Sequence, residues 1–179
     1  MTAMQAQPGP ASQSQKLAAD QAILAILFAP DGKKDNGEWR WAAPIDGKTR
    51  LVKELFLVER ETRSGEGGLL AFGFTPGPYG PSSLELTKTL DRLLLSEEVG
   101  AAPINGGRGS RLSLTPTGGH KAKQVWNLLS PPARADLYRV KSRVAPMTYR
   151  QFLLYVYRTY PEYTENSLIR EEVLSDSEQ

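Results

Sequence analysis

Between Pro81 and Thr117 a helix signal is followed at once by a hairpin signal, and this succession constrains the fold more than any other feature of the sequence. Pro81 precedes two candidate caps, Ser82 and Ser83, and Leu86, Leu90, Leu93 and Leu94 then recur at i, i+4, i+7 and i+8, the spacing of one helix face. Beyond Glu98, two short segments, residues 99–104 and 111–114, flank Asn105-Gly106-Gly107-Arg108-Gly109, which predicts a β-hairpin with a flexible basic tip. Upstream, Leu51, Leu55 and Val58 keep the same helical spacing from Lys48 onward, with Val52, Phe56 and Leu57 widening the apolar face and an end expected near Arg63. Helix, helix and hairpin in that order is the winged helix-turn-helix arrangement. The expected fold class is therefore mainly α (α+β), with a small β-hairpin wing and additional C-terminal helices.

Around this unit the punctuation divides the chain. Residues 16–28 predict a first helix that stops before Pro30, and residues 31–47, rich in Gly, Lys and Asp, read as a loop insertion with a short strand near Trp39 and Trp41. Gly65, Gly67 and Gly68 break the chain after the second helix, residues 69–74 read as a short extended segment, and Pro76 to Pro81 as a tight turn. Thr115-Pro116-Thr117 starts a further helix carrying Ala122, Val125, Trp126 and Leu129, and two more are expected over 133–144 and 148–160, separated by Pro146 and closed by Pro161. The expected organisation is a disordered leader over 1–15, a winged-helix domain over 16–130, a helical extension packing on it over 131–167, and an acidic tail over 168–179.

Composition narrows the function classes. A chain of 179 residues can bury a stable core without staples, and it has no cysteine, which excludes disulfides, thiolate metal sites and cysteine nucleophiles. The longest apolar stretch, residues 22–29, is far short of the roughly 20 residues that cross a bilayer. The Gln-, Ala- and Pro-rich start lacks the pattern of a secretory signal, so a cytoplasmic location without membrane contact is expected. The formal net charge is only +2, too mild to imply nucleic acid by itself, but it is unevenly placed. Arg108, Arg111, Lys121, Lys123, Arg134, Arg139, Lys141 and Arg143 face the single acid Asp136, whereas the last stretch carries Glu162, Glu165, Glu171, Glu172, Asp176 and Glu178 against Arg170.

Three pieces of the chain carry a family resemblance: the helix beginning Lys48-Thr49-Arg50-Leu51-Val52-Lys53-Glu54, the junction Tyr79-Gly80-Pro81-Ser82-Ser83, and Leu112-Ser113-Leu114-Thr115-Pro116-Thr117-Gly118. Together they resemble a family of prokaryotic winged-helix proteins of the YwgA type and, more remotely, the Panacea (SocA-like) antitoxin domain. The ending from Phe152 to Ser167, with Tyr160-Pro161-Glu162-Tyr163-Thr164, is similar to the C-terminal helix and tail of such proteins. The resemblance implies a winged-helix fold and a role in transcription, toxin neutralisation or phage defence. The tryptophan-bearing insertion and the acids Glu85 and Asp91 on the expected reading helix depart from the pattern.

Catalysis needs a proton carrier or nucleophile beside an orienting partner, and the one imidazole, His120, has no acid placed for it by the sequence. Glu97-Glu98 and Glu171-Glu172 read as solvated charges, and Gly106-Gly107-Arg108-Gly109 lacks the Lys-Ser/Thr ending of a phosphate loop. No enzyme activity, metal or cofactor is expected. A winged helix reads duplex DNA by placing its second helix in the major groove while the wing holds phosphates. On that reading Ser83, Lys88, Thr89 and Arg92 face bases, and Arg108, Arg111 and Lys121 hold phosphates, with Lys48, Arg50 and Lys53 in support. A homodimer follows, because short sites are usually read by paired modules. Trp39, Trp41, Tyr149 and Tyr155 are candidate interface residues, or core aromatics by their helical spacing. The competing class is an adaptor or antitoxin-like module that keeps the fold and binds a protein partner, favoured by Glu85 and Asp91, since carboxylates repel a phosphate channel.

Overall fold

The structure, a computed structural model, describes residues 16–62 and 70–175. Its helices begin where the sequence supplies an oxygen for their free amides. Ser83 caps α3 (Leu84–Leu95), Thr115 caps α4 (Pro116–Leu128) with a proline in the first turn, Ser130 caps α5 (Pro131–Val144), and Thr148 with Gln151 forms a capping box on α6 (Tyr149–Thr159). Preceding them are α1 (Ala19–Phe28) and α2 (Lys48–Glu61), which starts at Gly47 with φ 99° and no side-chain cap.

The strands are short. β1 (Lys34–Asp35) and β2 (Glu38–Trp39) form a hairpin inside the insertion, and β3 (Ile45–Asp46) closes it. β4 (Thr75–Gly77) pairs with β5 (Gly80–Ser82), while β6 (Val99–Pro103) and β7 (Ser110–Leu114) form the hairpin after α3. β3 returns to pair antiparallel with β7, Ile45 opposite Leu112 and Asp46 opposite Arg111, which gives a three-stranded sheet in the order β3-β7-β6. The chain is thus mixed α+β, mainly helical with small antiparallel sheets.

Burial explains the layering. α1 is apolar on every side beyond its first turn, with Ala22, Ile23, Ala25 and Ile26 fully buried, and it lies between α3, α4 and the central α2. α2 is buried continuously from Arg50 to Val58, which takes the charged Arg50, Lys53 and Glu54 out of water. Phe56 sits in an aromatic cage, with ring centroids of Phe74, Tyr160 and Tyr163 at 5.2, 5.0 and 4.8 Å.

Two segments add to the sequence reading. Residues 70–74 pair into no strand, and Leu70, Phe72 and Phe74 alternate inward along them. Side chains replace the missing ladder: the Phe72 amide donates to Glu59 at 3.3 Å, and its carbonyl accepts from the Ser83 hydroxyl at 2.8 Å. The acidic C-terminal stretch carries a helix that the sequence reading did not assign: a 3₁₀ turn (Pro161–Tyr163) leads to α7 (Arg170–Ser175), which packs on α6 with Ile169, Val173 and Leu174 half-buried. The charge pattern hid this, since those apolar residues lie among acids at helical spacing. The leader, Arg63, the Gly65–Gly68 break, Leu69 and residues 176–179 lie outside the described residues.

Candidate functional site

The outward side of α3 presents Leu84, Glu85, Lys88, Asp91, Arg92 and Leu95. Two acids balance two bases on this face, and its two leucines are 69% and 86% exposed. Of the residues expected to read bases, Lys88 and Arg92 are exposed here. Ser83 and Thr89 are instead turned inward: Ser83 is 1% exposed and its hydroxyl, besides binding Phe72, accepts the Leu86 amide at 3.3 Å, and Thr89 is buried against the core. The requirement for a cap at the start of α3 consumes Ser83.

The expected phosphate contacts divide in the same way. Arg108 is exposed at the hairpin tip, and like Lys88 and Arg92 it has no ion-pair partner among the described residues. Arg111 makes a bidentate pair with Asp46 at 2.7 and 3.0 Å, which fastens β7 to β3 and, through that hydrogen bonding, holds the Asp46 carboxyl below its ordinary range. Lys121 pairs with Glu98, and Lys48 reaches Asp91 at 2.7 Å.

The basic run largely closes on itself. Arg134 donates to the carbonyls of Trp126 and Asn127 at 2.9 Å each, shutting the α4–α5 corner. Arg139 lies 3.5 Å from Asp136, Arg143 pairs with Glu61, and Lys141 is buried with its amine on the Leu27 carbonyl at 2.8 Å. Six of the eight cations counted over that run are held by intramolecular partners.

The candidate interface aromatics pin elements together. Trp41 packs on Phe28 and Trp126 at 5.4 and 5.6 Å, and Trp39 on Tyr138 at 5.8 Å with the Lys34 amine 4.7 Å over its ring, so the insertion is folded back on α1, α4 and α5. Both tryptophans stay almost half exposed. Tyr155 and Tyr160 donate to one oxygen of Glu61 at 2.6 and 3.0 Å, and Tyr149, at the start of α6, is 45% exposed.

Sequence reading missed a buried ionic group. Arg50 and Lys53, expected at a DNA backbone, are 8% and 2% exposed. The Arg50 guanidinium donates to Glu54 at 3.1 Å and to the carbonyls of Met147 and Val144 at 3.1 and 2.6 Å, closing the end of α5. Glu54 is wholly buried and its second oxygen, Oε2, has no hydrogen-bond partner. Burial raises the Glu54 pKa despite Arg50 and Lys141, and burial likewise pushes Lys141 down to about 8 against the pull of Glu54 and Asp31. Asp31, 4% exposed, would be raised by its burial, but the Arg40 guanidinium and the Lys33 amide hold it below its ordinary value. Arg50, Glu54, Lys141, Asp31 and Arg40 line a polar cavity of 460 Å³ that also includes the Asp46–Arg111 pair. The signal for it in the sequence is faint: Arg50 and Glu54, four residues apart on a helix rich in apolar residues.

His120 is exposed, 3.4 Å from the Gln124 amide, and among the described residues no cluster of His, Asp and Glu could hold a metal ion. No helix of the described residues is long and apolar enough to cross a membrane. Neither a family model, nor a curated protein, nor a solved structure matches the chain.

Proposed function

We propose that residues 16–130 are a winged helix-turn-helix, with α2 and α3 as its helix pair and β6–β7 as its wing, and that this module works by docking a protein partner on the outer face of α3. The strand order β3-β7-β6, with a hairpin directly following the second helix, supports the fold reading. The observation that carries the functional reading is the exposure of Leu84 and Leu95 at the two ends of a charge-balanced face. Protein–DNA interfaces are polar and strongly positive, whereas exposed leucines bracketing paired charges suit a protein interface. The adaptor or antitoxin-like role is the one this face fits.

A second reading, a dimeric cytoplasmic DNA-binding regulator, is favoured by one observation, that Lys88, Arg92 and Arg108 have no ion-pair partner among the described residues. Fluorescence anisotropy of random duplex DNA and of the upstream region of its own gene, across a salt series, separates the two. The docking reading expects no steep salt dependence. Saturable binding that weakens with salt and is lost in Lys88→Ala with Arg92→Ala establishes the regulator instead. The positive arm is co-expression with the products of adjacent genes: a complex lost in Leu84→Glu and Leu95→Glu but kept in Lys88→Ala supports docking through α3.

A further inference from the structure

The outer face of α3 carries a pattern that exposure alone does not require. Leu84, Lys88, Asp91 and Leu95 follow one another at i, i+4, i+7 and i+11, the spacing of the seam between two packed helices. At about 100° per residue this row lies diametrically opposite the buried Leu86, Thr89, Leu90 and Leu93, and all four of its members are exposed. Glu85 and Arg92, seven residues apart, form a second exposed row along one flank of the seam. Neither has an ion-pair partner among the described residues.

The order of residues along the seam selects its occupant. From either end it runs apolar, charged, charged, apolar, with the charges reversed in sign on the way back. Turned end over end about an axis through its midpoint, the face meets its own complement. Leu84 comes opposite the second copy's Leu95 and Lys88 opposite the second copy's Asp91, each twice by symmetry. Glu85 comes within one helical turn of the second copy's Arg92, the contact made by flanking positions of paired helices. A parallel pair would instead set Lys88 on Lys88 and Asp91 on Asp91, and would be repelled. The seam is not used up within the chain, since Lys48 takes only Oδ1 of Asp91 and both side chains stay half exposed.

We propose that the partner docked on α3 is a second copy of this chain, held as an antiparallel α3–α3 pair across a twofold axis. This rests on the docking reading and names its occupant. With charges in the middle of the seam and a 12-residue helix only about 18 Å long, the contact is at the low end of interface sizes, so a reversible dimer with a Kd on the order of 10 µM is expected. The pair covers Lys88 and Arg92, so dimer and DNA would compete for one face.

Sedimentation velocity of the full chain, over a concentration series spanning that Kd, measures the dimer, and two charge reversals test its twofold pairing. Glu85→Arg sets an arginine against the second copy's Arg92 at both ends of the seam, and Arg92→Glu sets a glutamate against Glu85. Each variant should weaken the dimer at least roughly tenfold, by turning two attractions into repulsions. The thermal midpoint of the monomer should stay near its original value, because neither residue is paired within the chain. In an equimolar mixture of the two variants, arginine again faces glutamate at both ends, and the heterodimer should recover to within about threefold of the original affinity. The proposal is overturned by a chain that stays monomeric through the series, by a dimer indifferent to either reversal, or by a mixture that does not recover. The docking reading is decided separately: a monomeric chain that still binds an adjacent gene product, with the complex lost in Leu84→Glu, keeps that reading and discards the second copy.

Discussion

A Cβ placed on Gly118 would lie 1.7 Å from the Glu98 carbonyl oxygen, while one placed on the adjacent Gly119 would meet nothing within 4 Å. The two glycines therefore have opposite meanings. Thr115 caps α4 and also donates to the Glu97 carbonyl at 2.6 Å, which draws the first turn of α4 onto the start of β6 and leaves Gly118 no room for a side chain. Gly118→Ala should cost roughly 2–4 kcal/mol, since backbone and not a flexible side chain must give way. Gly119→Ala should stabilise by about 0.5–1 kcal/mol, through helix propensity and a less disordered unfolded chain. Urea midpoints of the two variants check both signs, and equal midpoints would contradict this packing of α4 on β6. Gly80 is constrained twice, by a φ of 91° and by Tyr157, which a Cβ would approach to 3.0 Å.

That second glycine joins two elements far apart in the chain. Tyr157 meets Ser167 at 2.7 Å, the Leu168 amide donates to the Pro78 carbonyl at 2.8 Å, and Asn166 reaches the Pro76 carbonyl at 3.4 Å, so the Tyr79-Gly80-Pro81 junction and the Tyr160–Ser167 segment form one seam. Sequence reading could see each as a distinctive motif, because both carry unusual turn chemistry, but not that they face each other, since no local pattern encodes a long-range contact. Helices with strong periodicity and a capping residue were legible almost to their ends: the stop at Phe28 and the hairpin around Asn105–Gly109 are written in the local sequence, and the cap was narrowed to Ser82 or Ser83, of which the fold uses Ser83. The fate of the charges was not, because pairing is a tertiary event: Arg111 and Lys121 look free in the sequence and are tied to Asp46 and Glu98 in the fold. The insertion is the element where this matters most, since its short strands are held down by ring contacts, by the Asp31–Arg40 and Asp46–Arg111 pairs and by the pairing of β3 with β7. Trp41→Ala removes its contacts with Phe28 and Trp126, and with half the ring already in solvent the expected loss is about 1–2 kcal/mol, concentrated locally. Amide exchange over residues 34–46 should accelerate while that of α2 stays near the wild-type rate, and uniform acceleration would show that the insertion is integral to the core.

Across the whole molecule the buried charges set how stability responds to pH. Lys53 and Lys141 are pushed down to about 8 from an ordinary 10.5, Lys53 by burial alone. Between those values the unfolded chain binds protons that the folded chain does not, so stability must rise with pH across that interval. Tyrosines act in the opposite sense. Tyr149, Tyr155, Tyr157 and Tyr160 are all raised above the ordinary 10.0, chiefly by burial, and for Tyr155 and Tyr160 also by Glu61, so above that pH the folded chain keeps protons that the unfolded chain has lost, and stability falls. On the acid side, Asp31 and Asp46 contribute stability above their ordinary 3.8 that is lost as pH drops through their lower folded values, while the raised Glu54 and Glu59 favour the folded state as pH falls. The two lysines and the four tyrosines together place the maximum on the alkaline side of neutrality, between 8 and 10.5. Lys53 isolates the effect, because no carboxylate contributes to its shift. Lys53→Met keeps the stem and removes the amine, so it should gain on the order of 2 kcal/mol near pH 7 and lose most of that advantage by about pH 9.5, where the native lysine is already neutral in the fold. Urea unfolding of both proteins at the two pH values measures this directly, and a gain that does not shrink with pH would mean that Lys53 titrates as an exposed lysine does.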